Sequence, residues 1–194
     1  DAASVAAGKA ANKRALQQQL GLADSDQPLL GFIGRLAHQK GADALLAASA
    51  ELSQLPLQVV VLASGDPALE HGFSEWAARC PGRVAVRLAY DEGLAHRIEA
   101  ASDIFVMPSR YEPCGLNQMY SQRYGTIPLV RRVGGLADSV ADIGSAEPTG
   151  IHFENADAGG VAYAVRKALE LRAQPALWQQ MQINGMNHDW SWRR

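Results

Sequence analysis

Apolar residues run in short blocks along this chain, and amphipathic stretches separate one block from the next. The blocks at residues 29–33, 57–63, 84–88, 104–107, 127–130 and 150–153 are rich in β-branched residues and often apolar throughout. Strands covered on both faces have that pattern. Between them the spacing turns helical. Residues 42–55 place Leu45, Leu46, Ser49 and Leu52 on one side, and residues 94–101, 116–124, 136–143 and 158–171 repeat the idea. Residues 12–20 read as an opening helix closed by Gly21, a good residue just past a C-terminus. Residues 175–187 read as a closing helix, with Pro175 suited to its first turn. Strands that alternate with helices in this way predict one α/β domain, doubly wound and Rossmann-like, with a mainly parallel sheet. Pro148, Gly150 and Asp157 leave the last strand short. Ligands in such folds bind outside the carboxyl ends of the strands, so the loops after the strands are where chemistry is expected.

The chain's bulk properties suit one domain over residues 1–194. Even ~150 residues bury roughly 68–70% of their extended surface, so no staple is needed. The 47% hydrophobic and 20% charged composition is that of a globular protein, and 18 basic against 20 acidic residues give a net charge of −2. A nucleic-acid partner calls for a basic domain with clustered Lys and Arg, so none is expected. Cys80 and Cys114 supply neither a disulfide framework nor a metal pair, which favours a reducing, cytoplasmic setting. No apolar run approaches membrane-spanning length and no leader is legible, so no membrane partner is expected. The start at Asp1 and the stop at SWRR read as cut ends.

The first predicted strand runs into GFIGRLAHQKG, which places Arg35 and Lys40 in a strand-to-helix loop. A planar fork and a mobile point charge near a helix N-terminus suit a pyrophosphate. Both are equally readable as solvated loop cations. After the fourth strand comes EPCGLNQ. Pro113 holds Glu112 extended, Gly115 allows close backbone approach, and the amides of Gly115, Leu116 and Asn117 fall free at a helix start. Glu112 then either offsets the helix dipole, worth ~0.3–1 kcal/mol, or accepts hydrogen bonds from sugar hydroxyls while the amides hold phosphate. Cys114 has the helix-start setting of a reactive thiol, but no orienting His or Asn is identifiable nearby, and packing or backbone donation is the preferred role. Tyr90 ends the third strand and either stacks on a base or packs. Gly134-Gly135 opens a helix or makes a tight turn. The five histidines lack metal-ligand spacing. Trp76, Trp178, Trp190 and Trp192 read as packing or terminal anchors.

Six segments resemble the bacterial glycogen synthases and plant starch synthases, retaining glucosyltransferases of the GT-B architecture. They are GKAANKRALQ, GRLAHQKG, ASGDP, AHRIEAASDIFVMPSRYEPCGLNQMY, RYGTIPLVRRVGGLADSV and DWSW, in family order along almost the whole chain. The PSRYEPCGLNQMY stretch carries most of the specificity, and the likeness is greater to enzymes using ADP-glucose than to those using UDP-glucose. The resemblance implies that Arg35 and Lys40 meet the distal phosphates and that Glu112 meets the glucose hydroxyls, with Cys114 and Gly115 donating backbone N–H groups. It further implies Leu116 and Asn117 on phosphate, Tyr90 stacked on adenine and Thr126 facing the nucleotide. Ala89 and Ala63 stand where the family usually has Gly, and each adds a methyl near the site.

The same resemblance implies a C-terminal, nucleotide-sugar half. The family's N-terminal domain, with its Lys-x-Gly-Gly motif and its glucan acceptor site, has no match here, and neither has the final crossover helix. The whole enzyme would move glucose from ADP-glucose to the 4-OH of an α-1,4-glucan with no cofactor, and this part is expected to bind ADP without turnover. No second carboxylate partners Glu112, so a double displacement of the glycosidase kind is unsupported. Other readings are a non-catalytic glucan-binding or regulatory module, or another GT-B enzyme of the sucrose synthase or phosphorylase kind. A dehydrogenase is weaker still, because G-x-G-x-x-G is absent.

Overall fold

The structure is a computed structural model that describes residues 2–190. Its centre is a six-stranded sheet of β1 (Leu29–Leu36), β2 (Gln58–Gly65), β3 (Val84–Leu88), β4 (Ile104–Met107), β5 (Ile127–Arg131) and β6 (Ile151–Phe153). Every pairing is parallel and the spatial order is β3-β2-β1-β4-β5-β6, the doubly wound arrangement expected from the sequence. Strand alternation divides the core. Leu30, Phe32, Val59 and Val61 face one layer, whereas Leu29, Val60, Leu62 and Ala85 face the other.

The helices are α1 (Ala2–Leu20), α2 (Ala42–Ala47), α3 (Ser49–Leu52), α4 (Pro67–Arg79), α5 (Glu92–Ala101), α6 (Asn117–Arg123), α7 (Gly134–Ser139), α8 (Ala158–Arg172) and α9 (Pro175–Asn187). A 3-10 turn spans His38–Lys40. Strands 84–88 and 104–107 and helix 175–187 fall where the pattern puts them. The predicted 136–143 helix is shifted, with α7 ending at Ser139, and three other helices differ. α1 begins ten residues before its predicted start, at Ala2 against residue 12, because its first half is alanine-rich and alanine is the best helix former. The predicted 42–55 helix breaks at Ala48 into α2 and α3. α4 was not expected, although its signals are present. Asp66 caps it by accepting from the amides of Ala68 (2.8 Å) and Leu69 (3.3 Å), Pro67 opens it, and Phe73 and Trp76 are buried one turn apart.

Trp76 and Trp178 are core residues, and Trp76 donates its indole N–H to Ser53 Oγ at 2.9 Å. Trp190 lies against His188 with the rings tilted by 37°, and Trp192 lies outside the described residues. Among the described residues no helix is long and apolar enough to cross a membrane.

Candidate functional site

β1 and β4 are neighbours at the centre of the sheet, yet the chain leaves them in opposite directions, to β2 and to β5. The crossover connections that follow run to either side of the sheet and leave a crevice at the strand ends, the place where folds of this type bind ligands. The loop after β1 is the His38–Lys40 turn ending at Gly41, whose φ of 68° is left-handed. A Cβ at Gly41 would run into the carbonyl of Pro108, which begins the loop after β4. Glycine is required there both for its conformation and for the close approach of the two loops.

Hydrogen bonds then join the loops. The Arg110 amide donates to Gln39 O at 2.8 Å, and Gln39 Nε2 donates to Tyr111 O at 3.2 Å. The Arg110 guanidinium holds Asp43 through two bonds of 2.7 and 2.8 Å, and also reaches His38 O at 2.8 Å and Ala156 O at 3.1 Å. The hydrogen bond from Arg110 holds the Asp43 carboxyl below the usual carboxylate range, and the Arg110 pKa is raised in return.

Lys40 Nζ donates to Glu112 Oε2 at 2.5 Å, and Ser109 Oγ donates to the same oxygen at 3.2 Å. Glu112 is 5% exposed. The carboxylate therefore stands behind the lysine. In front lies a small cleft of about 80 Å³ lined by Gly34, Lys40, Ser109, Gly115, Leu116 and Asn117 among others. Arg35, at the end of β1, reaches toward Gln39 Oε1 at 3.4 Å.

The far side of the cleft is the start of α6. Gly115 has a φ of 76°, which leads the chain into the helix, and a Cβ there would stand 2.6 Å from Gln118 Oε1. Among the described residues none accepts from the amides of Leu116 or Asn117, as expected of a first helical turn. The Asn117 side chain donates to Ile33 O at 3.2 Å and ties this helix start to β1. Cys114 is exposed, with its thiol 3.4 Å from Gly115 O. Tyr90 lies beyond the end of β3, two strands from β1, and is 91% exposed.

Lys40, Gly115, Leu116 and Asn117 thus line one cleft from two loops far apart in sequence, and Glu112 pairs with Lys40 behind it. Arg35 lies within β1 and its side chain meets Gln39, outside the cleft lining, Cys114 is next to Gly115, and Tyr90 stands farther along the same edge. Thr126 does not join them, and the expectation that it faces a nucleotide is corrected. It precedes β5 at the opposite, N-terminal end of a parallel sheet. Its hydroxyl lies 2.5 Å from Glu99 O and 2.7 Å from Ser102 O, and accepts from Lys9. At 1% exposure Thr126 is a buried structural group.

Sequence reasoning passed over Ser109 and the Arg110–Asp43 pair, and left Gly134-Gly135 open between two readings. The two glycines open α7 and seat the 112–114 segment. The Gly135 amide donates to Glu112 O at 3.0 Å, and a Cβ on Gly135 would lie 2.5 Å from Cys114 Cα. The paired glycines were the legible signal.

A larger cavity of about 540 Å³ opens between α1 and α9 at the other end of the sheet, near Lys9, Lys13, Asp103 and Trp178. Its size does not make it the better site. Lys9 already donates to Ala100 O at 2.8 Å and to Thr126, and Lys13 to Asp103 at 3.0 Å and to Gln27. Among the described residues no three His, Cys, Asp or Glu side chains form a metal centre. The β1/β4 cleft, by contrast, offers the Lys40 cation and the amides of Leu116 and Asn117 on its lining, with the Glu112 carboxylate directly behind the lysine. That set suits a phosphate ester joined to a hydroxyl-rich group.

Residues 13–186 match the family model described as glycosyl transferases, group 1. A glycogen synthase from Anaeromyxobacter sp. (strain Fw109-5) is 52% identical over 189 residues, covering 96% of this chain and 40% of that protein. One from Cellvibrio japonicus is 52% identical over 191 residues, with 96% and 40% covered. Among solved structures, the catalytic domain of starch synthase IV from Arabidopsis thaliana, bound to ADP and acarbose, superposes with a TM-score of 0.87 at 39% identity, covering 95% of this chain and 40% of that one. The chain spans about 40% of the length of the curated relatives it matches.

Proposed function

This chain belongs to the group 1 glycosyl transferases, and we propose that its β1/β4 cleft is the ADP-glucose wall of a retaining glucosyltransferase that extends α-1,4-glucan. The observation that carries this is the meeting of Lys40 and the Gly115–Asn117 helix start on one crevice, with Glu112 bonded to the lysine. The glycogen synthase relatives and the ADP-bound starch synthase favour the same substrate class.

In this reading Lys40 and Arg35 take the diphosphate together with the amides of Leu116 and Asn117. They stabilise the charge that grows on the leaving group as the glycosidic bond breaks. Glu112 accepts hydrogen bonds from glucose hydroxyls, and Cys114 and Gly115 contribute backbone donors beside it. Tyr90 stacks on adenine. Glu112 positions the sugar and makes no covalent bond, because no carboxylate on the cleft lining could act as its partner. Residues 1–194 act as the nucleotide-sugar domain, and the acceptor glucan and the water-excluding opposite wall come from a partner domain. A single wall lacks acceptor positioning, which is a large part of the rate.

Titration calorimetry with ADP, UDP and NAD, beside an assay of labelled ADP-glucose incorporation into glycogen, tests this. The expected result is saturable ADP binding that exceeds UDP and NAD, with no glucan elongation by residues 1–194 alone. Equal binding of all three, or none, would remove the assignment.

A further inference from the structure

We propose that Arg110 and Asp43 are positioning residues that set the spacing between Lys40 and Glu112, and so the diphosphate affinity of the cleft; the inference rests on the function proposed above. Arg110 does not line the cleft. Each of its two terminal nitrogens makes two hydrogen bonds, to Asp43 Oδ1 and His38 O from one and to Asp43 Oδ2 and Ala156 O from the other. With four terminal N–H groups spent, the guanidinium has no donor left there for a ligand. Asp43 also neutralises its charge. What remains is a clamp.

The clamp holds three loops, each following the carboxyl end of a strand: His38 after β1, Arg110 itself after β4, and Ala156 after β6. The Arg110 main chain adds to it, since its amide donates to Gln39 O and its carbonyl accepts from Arg131 at 2.9 Å. Lys40 lies two residues from His38, and Glu112 two residues from Arg110. The clamp thus anchors both site residues from two positions away, behind the Gln39–Tyr111 bond that joins their immediate neighbours. A lysine at position 110 would keep one charge but lose the planar fork that reaches several acceptors at once.

The experiment measures ADP and AMP affinity for the full chain, for Arg110→Lys, for Asp43→Asn and for Lys40→Ala, with thermal melts of each. AMP lacks the distal phosphate that Lys40 is assigned to hold. The expected result is that Arg110→Lys and Asp43→Asn each lower ADP affinity by roughly tenfold, an effect in the range of a lost charge-assisted hydrogen bond, while AMP affinity changes far less. The ADP-to-AMP preference then falls toward that of Lys40→Ala. Combining Arg110→Lys with Lys40→Ala should add little further loss, since coupled residues are non-additive. A purely structural role would lower both nucleotides equally, and that result, or wild-type affinities in both clamp variants, overturns the proposal. If Arg110→Lys no longer melts cooperatively, Asp43→Asn decides by the same outcomes. If the unsubstituted chain itself binds no ADP, the reading of the cleft fails and this inference falls with it.

Discussion

Lys40 Nζ lies 2.5 Å from Glu112 Oε2, so the cation assigned to phosphate and the carboxylate assigned to sugar neutralise each other across the two loops. In the function proposed above, a diphosphate that draws Lys40 away leaves that Glu112 oxygen with Ser109 as its remaining donor and able to take a glucose hydroxyl, which would couple donor phosphate to donor sugar through one ion pair.

Glu112→Gln therefore separates the two halves of the ligand. It releases Lys40 and removes a negative charge near the phosphates, so ADP is expected to bind roughly two- to fivefold more tightly, the scale of a partly solvated ion pair. The additional affinity that glucose gives ADP-glucose over ADP should disappear. Calorimetry with both ligands checks this, and weaker ADP binding by the variant would show that Glu112 does not compete for Lys40.

Tyr90→Ala tests the nucleobase end. Base stacking on an aromatic side chain is worth about 1–3 kcal/mol, so ADP affinity should fall by at least roughly fivefold. The melting temperature should stay where it is, because the ring is 91% exposed. Unchanged affinity would assign the tyrosine no part in nucleotide binding.

Thr126→Val tests the correction made above. The valine keeps the shape but leaves buried partners of the hydroxyl without their hydrogen bond, a loss of about 1–3 kcal/mol of stability. ADP affinity should remain at the wild-type value. A variant that melts like the parent but binds ADP poorly would return Thr126 to the nucleotide site.

The same network gives stability a pH dependence. Burial pushes the Lys9 pKa down from 10.5 to about 7, with Lys13 also lowering it and Asp103 opposing. Between pH 7 and 10.5 the unfolded chain then holds a proton that the folded chain has released, and stability rises with pH across that window. It falls again as pH drops from 10.5 toward 7. Urea unfolding at pH 7, 8 and 9 should show the rise, and Lys9→Met should flatten it. A slope unaltered in Lys9→Met would place its source elsewhere.

The strands were legible because parallel strands buried on both faces are apolar in nearly every residue, as at 104–107 and 127–130. The α4 helix escaped because its buried face rests on only two fully buried side chains, Phe73 and Trp76, which make a weak period. Within the site, loop chemistry singled out Lys40 and Glu112 but left each a structural alternative, a solvated cation and a helix-dipole partner, and the fold brings the two into one ion pair. Arg110 has no such signal. An arginine clamped by carbonyls 72 and 46 residues away looks like any loop cation until the fold brings His38 and Ala156 to it. Thr126 misled for the converse reason. Sequence proximity to a strand does not say which end of the sheet the residue occupies, and only the topology put it at the amino end.

The central claim is that the cleft between β1 and β4 holds a nucleoside diphosphate through Lys40. Its most direct test is calorimetric titration of ADP into the chain and into Lys40→Ala side by side. The parent should bind one ADP, and Lys40→Ala should lose at least roughly tenfold in affinity, as for one charge-assisted contact, while still melting cooperatively at a lower temperature because Glu112 loses its partner. Equal ADP affinity in the two proteins would contradict the assignment.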